Sequence, residues 1–246
     1  MNWCPLDDSK IENISKLIDY SGKDMGASEL YRKVADIPYC MEDKVKFILH
    51  HWGWDGTLRE ESYLPLSQIS SVGFTIPSST STFFHQMYGL VIPMKKIKEN
   101  ESKNNGGTIR FHYPEIGWKD VLIASECLSA KFNETIIYVG DMIDYNGFTH
   151  SNGQTWEKLD CKTSGWSYEI YIGSSGRVYT WDTETSDCIW IEAEDILSFF
   201  ASVFGLTLDS SRVYGYTSDV DLDIMDKIEN LWRQGIYKQN YFRPEK

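Results

Sequence analysis

Two carboxylates, Asp182 and Glu184, end a segment that is rich in aromatic residues, GRVYTWDTE. In a β-strand, side chains two positions apart point to the same face, so these two carboxylates could converge. Glycoside hydrolases use two carboxylates in that general manner. However, the residues TWDTETSD also suit the solvated end of a hairpin, and the chain contains 36 acidic residues. The residues alone therefore favour the hairpin end, and a catalytic pair stays the alternative.

The sequence contains no GxSxG, no GxxxxGK followed by Ser or Thr, and no GxGxxG. Gly173-Ser-Ser-Gly176 lies between two predicted strands, which indicates a turn. The five histidines are scattered without metal-ligand spacing. The run that begins at Asp219 resembles a calcium loop, but Ile224 and Asn230 occupy the positions that require Gly and Glu. We therefore expect no metal, no cofactor and no enzymatic activity.

Negative charge is concentrated in one part of the chain. The formal net charge is −12, and residues 134–195 contain twelve acidic and three basic residues. Such a field repels nucleic acids and anionic membranes and attracts a basic protein. The chain shows neither a secretory signal nor an apolar run long enough to span a membrane, and its five cysteines form no CxxC motif. We expect a cytoplasmic protein that binds neither nucleic acid nor membrane.

The hydrophobic pattern predicts an α+β fold, with helices first, then mostly antiparallel strands, then helices. One predicted helix begins after Asp7 or Asp8, and another begins after Pro77. Further predicted helices cover 27–35, 42–52, 67–71 (one turn), 119–132, 192–204 and 219–233. Predicted strands cover 90–92, 108–113, 135–139, 156–159, 168–172, 177–181 and 189–191. We expect one domain: an N-terminal helical extension (1–40), a core (41–205), and a C-terminal helix and tail (206–246). Residues 95–107 are expected to form an exposed loop.

Six segments, in this order, resemble the SUKH superfamily of bacterial toxin-immunity proteins, and most of all its branch with a Gly-Trp motif. Here that motif would be HWGWDG (51–56), followed by Arg59. The other segments are GFTIPSSTSTFFHQMYGLVIP (73–93), IRFHYPE (109–115), IIYVGDMID (136–144), IYIGSSGRVYTWD (170–182) and AEDILSFF (193–200). The sequence departs from the family where Arg59 stands three residues after Gly56 and where a doubled Gly is single at Gly89.

The resemblance implies an α+β fold and a protein that neutralises a cognate polymorphic toxin, often a nuclease or deaminase, by binding it. It also implies structural roles for Gly53, Trp54, Gly89 and Gly176. A nuclease cleft must be basic to hold phosphates, so a protein that occupies it is expected to be acidic.

We therefore predict an immunity protein with an acidic, aromatic-rimmed face that binds the toxin domain. Its predicted residues are Asp141, Asp144, Trp181, Asp182, Glu184, Asp187 and Trp190. For the two tryptophans, core packing is the alternative. For the whole chain, the alternatives are a general protein-interaction or scaffold module of the same fold, or an enzyme with the Asp182/Glu184 pair. The residues do not specify an oligomeric state.

Overall fold

A computed structural model of the chain describes residues 3–71, 75–94, 107–112, 118–144, 166–182, 188–207 and 214–217. Within these ranges the chain forms seven α-helices and seven β-strands. The predicted α+β architecture, with one sheet flanked by helices, is confirmed.

Five helices precede the sheet: α1 (Asp8–Leu17), α2 (Ala27–Ala35), α3 (Met41–His51), α4 (Tyr63–Ser71) and α5 (Ser78–Met87). Local signals set their ends. The carboxylate of Asp7 accepts a hydrogen bond from the Lys10 amide at 2.8 Å, which satisfies one of the free N–H groups at the start of α1. Two short 3₁₀ turns, Gly22–Asp24 and Glu60–Ser62, join the helices.

Seven strands form one antiparallel sheet in which each strand lies beside its neighbour in the sequence. They are β1 (Val91–Pro93), β2 (Thr108–Phe111), β3 (Ile136–Asp144), β4 (Trp166–Gly173), β5 (Val178–Asp182), β6 (Cys188–Ala193) and β7 (Tyr214–Thr217). Helix α6 (Trp118–Phe132) connects β2 to β3, and helix α7 (Ile196–Val203) follows β6. All six pairings are antiparallel, so the described sheet is a meander.

Helices pack on both faces of the sheet. On one face, Phe111 of β2 contacts Phe83 of α5 and Phe200 of α7, with ring centroids 5.5 and 6.0 Å apart. On the other face, Tyr179 of β5 contacts Phe132 of α6 at 4.8 Å. Where a strand is regular, its side chains alternate between the two faces. We call the second face the α6 face.

The loop after α3 has a structural role. Gly53 has a φ of 93°, which favours glycine, and Trp54 is fully buried. The guanidinium of Arg59 donates to the carbonyl oxygens of Gly53 (2.8 Å) and Gln86 (3.3 Å). These hydrogen bonds connect the loop to the end of α5. They agree with the structural roles that the resemblance implies for Gly53 and Trp54.

Several local predictions need correction. The predicted helix 192–204 begins later, because Glu192 belongs to β6 and Asp195 caps α7 through a 2.8 Å hydrogen bond to the Ser198 amide. The single turn predicted at 67–71 is the end of the longer helix α4.

Other predictions fall where the structure gives no description. The helix predicted over 219–233 and the strand over 156–159 lie outside the described residues, as does nearly all of the predicted loop 95–107. The division at residues 40 and 205 also stays a prediction. Ile14, Leu30 and Val34 are fully buried in the same hydrophobic core as the sheet residues, so the N-terminal helices contribute to that core.

Candidate functional site

A bulge in β3 brings two polar side chains to one face of the sheet. The register of β3 against β4 shifts between Tyr138 and Gly140, which leaves Val139 as the extra residue. In a regular strand, residues three positions apart point to opposite faces. Because of the extra residue, Tyr138 and Asp141 both lie on the α6 face, where their side chains make contact.

Gly140 provides the space that this bulge needs. A Cβ atom at this position would overlap the carbonyl oxygen of Arg110 on β2. It would also lie 3.0 Å from the Cα of Phe111. The close approach of β2 and β3 therefore requires glycine at position 140.

Asp141 is held by two donors. Its Oδ1 accepts a hydrogen bond from the Tyr138 hydroxyl at 2.7 Å, and its Oδ2 lies 2.6 Å from Nε2 of His112. The side chains of His112 and Asp141 are 33% and 22% exposed. A carboxylate offers about four acceptor positions. Asp141 is therefore fixed in orientation and can still accept hydrogen bonds from a partner.

Asp141 belongs to a row of four residues that crosses neighbouring strands on the α6 face. Its Cα partners are Arg110 on β2 and Glu169 on β4, and Glu169 is in turn opposite Trp181 on β5. We call Arg110, Asp141, Glu169 and Trp181 the cross-strand row. Adjacent strands lie about 4.8 Å apart, so the two carboxylates are close neighbours.

A buried tyrosine orients the second carboxylate. The hydroxyl of Tyr171 donates a hydrogen bond to Oε2 of Glu169. Burial raises the pKa of Tyr171 well above its ordinary value, and the negative charge of Glu169 raises it further. The hydroxyl therefore stays protonated at physiological pH and keeps donating to Glu169.

Exposure decreases along the cross-strand row. Arg110 is exposed, Asp141 and Glu169 are half-buried, and Trp181 is 6% exposed. On β1, the Cα partner of Arg110 is Val91, which is 52% exposed. A partner can therefore reach the row from the side of β1 and β2.

The structure brings only some of the predicted binding residues together. Asp141 lies at the centre of the site. Asp144 and Asp182 are the last residues of β3 and β5, and Trp190 lies on β6 opposite Thr180. Glu184 and Asp187 lie outside the described residues, so the Asp182/Glu184 pair stays untested.

Trp181 is part of the hydrophobic core in this structure. Its 6% exposure favours core packing over a role as an accessible anchor. Its indole Nε1 is buried and has no hydrogen-bond partner among the residues that the structure describes.

The sequence analysis did not identify four polar residues of the site: Arg110, His112, Tyr138 and Glu169. Sequence signals could have indicated two of them, Tyr138 and Glu169, but not Arg110 or His112. A glycine inside a strong strand pattern, as in IIYVGDMID, often marks a bulge. The alternation in Tyr168-Glu-Ile-Tyr171 places Glu169 and Tyr171 on one face.

A third carboxylate, Glu134, stabilises the turn between β4 and β5. It accepts hydrogen bonds from the Tyr179 hydroxyl and from the Ser175 amide, the latter at 2.8 Å. Partial burial raises the pKa of Glu134, but these hydrogen bonds outweigh that effect and leave the pKa below its ordinary value. Gly173-Ser-Ser-Gly176 is thus a hairpin turn, as predicted.

Ser62 and His85 form a hydrogen-bonded pair that resembles a nucleophile with its base. Ser62, however, is fully buried and also donates to the carbonyl of Arg59. Burial lowers the pKa of His85, so its imidazole stays neutral at physiological pH. A substrate cannot reach this hydroxyl in the structure, and the pair links the 3₁₀ turn to α5.

Comparison with protein-family models, with curated proteins and with solved structures finds no match. Among the described residues, no group of three or more His, Cys, Asp or Glu side chains is arranged to hold a metal ion. The described helices are too short or too polar to cross a membrane.

Proposed function

We propose that this chain is a cytoplasmic immunity protein that binds and neutralises a basic toxin domain, a nuclease or a deaminase, without catalysing a reaction. Its docking surface is the α6 face of the sheet around Asp141 and Glu169. The observation that carries this proposal is the placement of two carboxylates on adjacent strands, each oriented by a tyrosine hydroxyl. Oriented charges lose little conformational freedom when a partner binds.

The charge distribution supports the same proposal. Twelve of the 62 residues from 134 to 195 are acidic and three are basic, and Asp141 and Glu169 lie within this segment. An acidic field of this kind speeds the encounter with a basic partner. Against a basic active-site cleft, the carboxylates take the places that substrate phosphates would occupy.

The direct test examines the gene next to that of this chain and, where it encodes a secreted toxin, uses the C-terminal domain of that toxin. Co-expression of the two proteins is expected to rescue the growth of a bacterial host, and the purified proteins are expected to bind. The double variant Asp141→Asn/Glu169→Gln is expected to bind at least tenfold more weakly, a loss of about 1.4 kcal/mol or more. Affinity is also expected to fall with added salt.

A matched control separates the docking surface from net charge alone. Glu12→Gln/Glu29→Gln removes the same number of charges from α1 and α2, where both residues form exposed ion pairs with lysines. Its binding is expected to stay within about twofold of wild type because such pairs contribute little. Equal binding by both double variants would place the docking surface elsewhere. Failure of the wild type to bind or rescue, with both proteins soluble, would reject the neutralising function.

A further inference from the structure

Arg110 and Asp141 face each other on adjacent strands and yet do not pair. Opposite charges at such positions on one face of an antiparallel sheet normally attract. In the structure the two carboxylate oxygens of Asp141 contact Tyr138 and His112 instead. Among the described residues, no carboxylate forms an ion pair with Arg110. The strand register therefore permits an ion pair between Arg110 and Asp141, but this ion pair is not formed.

The β3 bulge explains why Arg110 and Asp141 do not form an ion pair. It brings the Tyr138 hydroxyl onto the face of Asp141, and His112 extends from the end of β2 to the other carboxylate oxygen. The carboxylate is thus oriented by neutral or weakly basic donors, and the guanidinium of Arg110 stays exposed. The bulge itself needs Gly140, because a Cβ there would overlap the Arg110 carbonyl.

The surroundings of Arg110 suit a protein partner. Its neighbour on β1, Val91, is an exposed apolar side chain, and arginine beside exposed apolar surface is common in interface hot spots. Across β2, β3 and β4 the charges follow the order positive, negative, negative, in steps of about 4.8 Å. Arg110 lies at the exposed end of the cross-strand row, where it would repel a uniformly basic surface.

We propose that Arg110 is a specificity-determining residue of the docking surface. It donates hydrogen bonds to an Asp or Glu of the toxin domain, while Asp141 and Glu169 accept a neighbouring Lys or Arg of the same domain. The partner is therefore a basic protein surface with one carboxylate beside its cationic group. A guanidinium is suited to this because it binds a carboxylate through two parallel hydrogen bonds. This inference rests on the proposed function.

Binding of the same purified toxin domain to single variants of the full chain tests the inference. Arg110→Ala is expected to weaken binding at least fivefold, and Arg110→Glu is expected to weaken it more. Arg177→Glu makes the same charge change at an arginine that pairs with Glu194 near the β4–β5 turn, and its binding is expected to stay within twofold of wild type. A toxin variant whose interface Asp or Glu is replaced by Lys is expected to restore binding to Arg110→Glu.

The outcomes are distinguishable. If the wild type binds and both Arg110 variants bind as tightly as the wild type, the inference is overturned while the proposed function stands. If the Arg110 variants and Arg177→Glu weaken binding to the same extent, long-range charge explains the effect and the inference is again overturned. If the wild type does not bind, the proposed function fails and the inference fails with it. Circular dichroism verifies that each variant is folded.

Discussion

Replacement of Gly140 by alanine tests whether the bulge in β3 depends on a missing side chain. The added Cβ would overlap the carbonyl oxygen of Arg110 and lie 3.0 Å from the Cα of Phe111. Both neighbours are backbone atoms of a paired strand, so neither can move aside as a flexible side chain would. We therefore expect β2 and β3 to separate at this position.

The cost follows from the bonds that this separation removes. Gly140 is opposite Phe111 and the next residue, Asp141, is opposite Arg110. Loss of about two ladder hydrogen bonds, at about 1 kcal/mol each, is joined by about 1 to 2 kcal/mol for the Tyr138–Asp141 hydrogen bond. The free energy of unfolding should therefore fall by about 3 to 4 kcal/mol. For a domain of this size, the melting temperature should fall by about 6 to 16 °C.

Urea and thermal unfolding of Gly140→Ala measure this change, with Gly26→Ala as the control. A Cβ at Gly26 meets no atom within 4 Å, and the φ of that residue is −70°, which alanine adopts readily. The control should shift the free energy of unfolding by less than about 1 kcal/mol. If Gly140→Ala unfolds at the same urea concentration as wild type, the steric argument for the bulge is wrong.

Three further predictions concern stability. Hydrogen bonds at the hairpin turn lower the pKa of Glu134 in the folded state. The ionised Glu134 therefore stabilises the fold at pH values above the pKa that it has in the unfolded chain. This stabilisation is lost as the pH falls through the pKa of the folded state. At pH 7, Glu134→Gln should lower the free energy of unfolding by about 1 kcal/mol, which is less than for a fully buried charged hydrogen bond because Glu134 is partly exposed. Below the folded pKa of Glu134, the substitution should change the free energy of unfolding almost not at all. Urea unfolding at pH 7 and at a pH below the folded pKa measures the difference. Burial lowers the pKa of His51, so unfolding binds a proton and stability should fall as pH falls from the unfolded pKa of about 6.5 to the folded pKa. His51→Gln should flatten this dependence in urea unfolding, whereas a variant at the exposed His50 should not. Arg59→Ala removes two hydrogen bonds to backbone carbonyls and should cost about 2 kcal/mol, whereas Arg32→Ala on the exposed side of α2 should change the melting temperature little.

Elements with local signals were predictable from the sequence. The second predicted helix agrees with α2 at both ends, because its apolar spacing buries Leu30 and Val34 on one side. The hairpin of β4 and β5 was also predictable, since two alternating strands flank a four-residue turn that contains two glycines. In both cases the determining contacts join residues close in sequence.

The site depended on contacts between distant residues. His112 reaches Asp141 only because β2 pairs with β3, and Tyr138 reaches Asp141 only because Val139 is extra in the ladder. Neither fact follows from local periodicity. The sequence therefore indicated Asp141 by charge and location, but it could not indicate which donors hold it.

Glu192 shows how one local signal can mislead. An acidic residue before an apolar stripe is typical of the first turn of a helix. Here backbone pairing of β6 with β5 extends to Ala193, and the hydroxyl of the buried Thr180 donates to Glu192 at 3.0 Å. A hydrogen-bonded place in the sheet thus prevails over a favourable interaction with the helix dipole.

The sequential order of the strands has a consequence for how this protein can change. Each described strand pairs only with those immediately before and after it, so no ladder has to wait for a distant part of the chain. The connections from Pro93 to Thr108 and from Asp144 to Trp166 join strands that are already neighbours. Doubling the length of such a connection costs only about 0.6 kcal/mol in chain entropy. Insertions between these strands can therefore accumulate while the pairing of the strands is preserved.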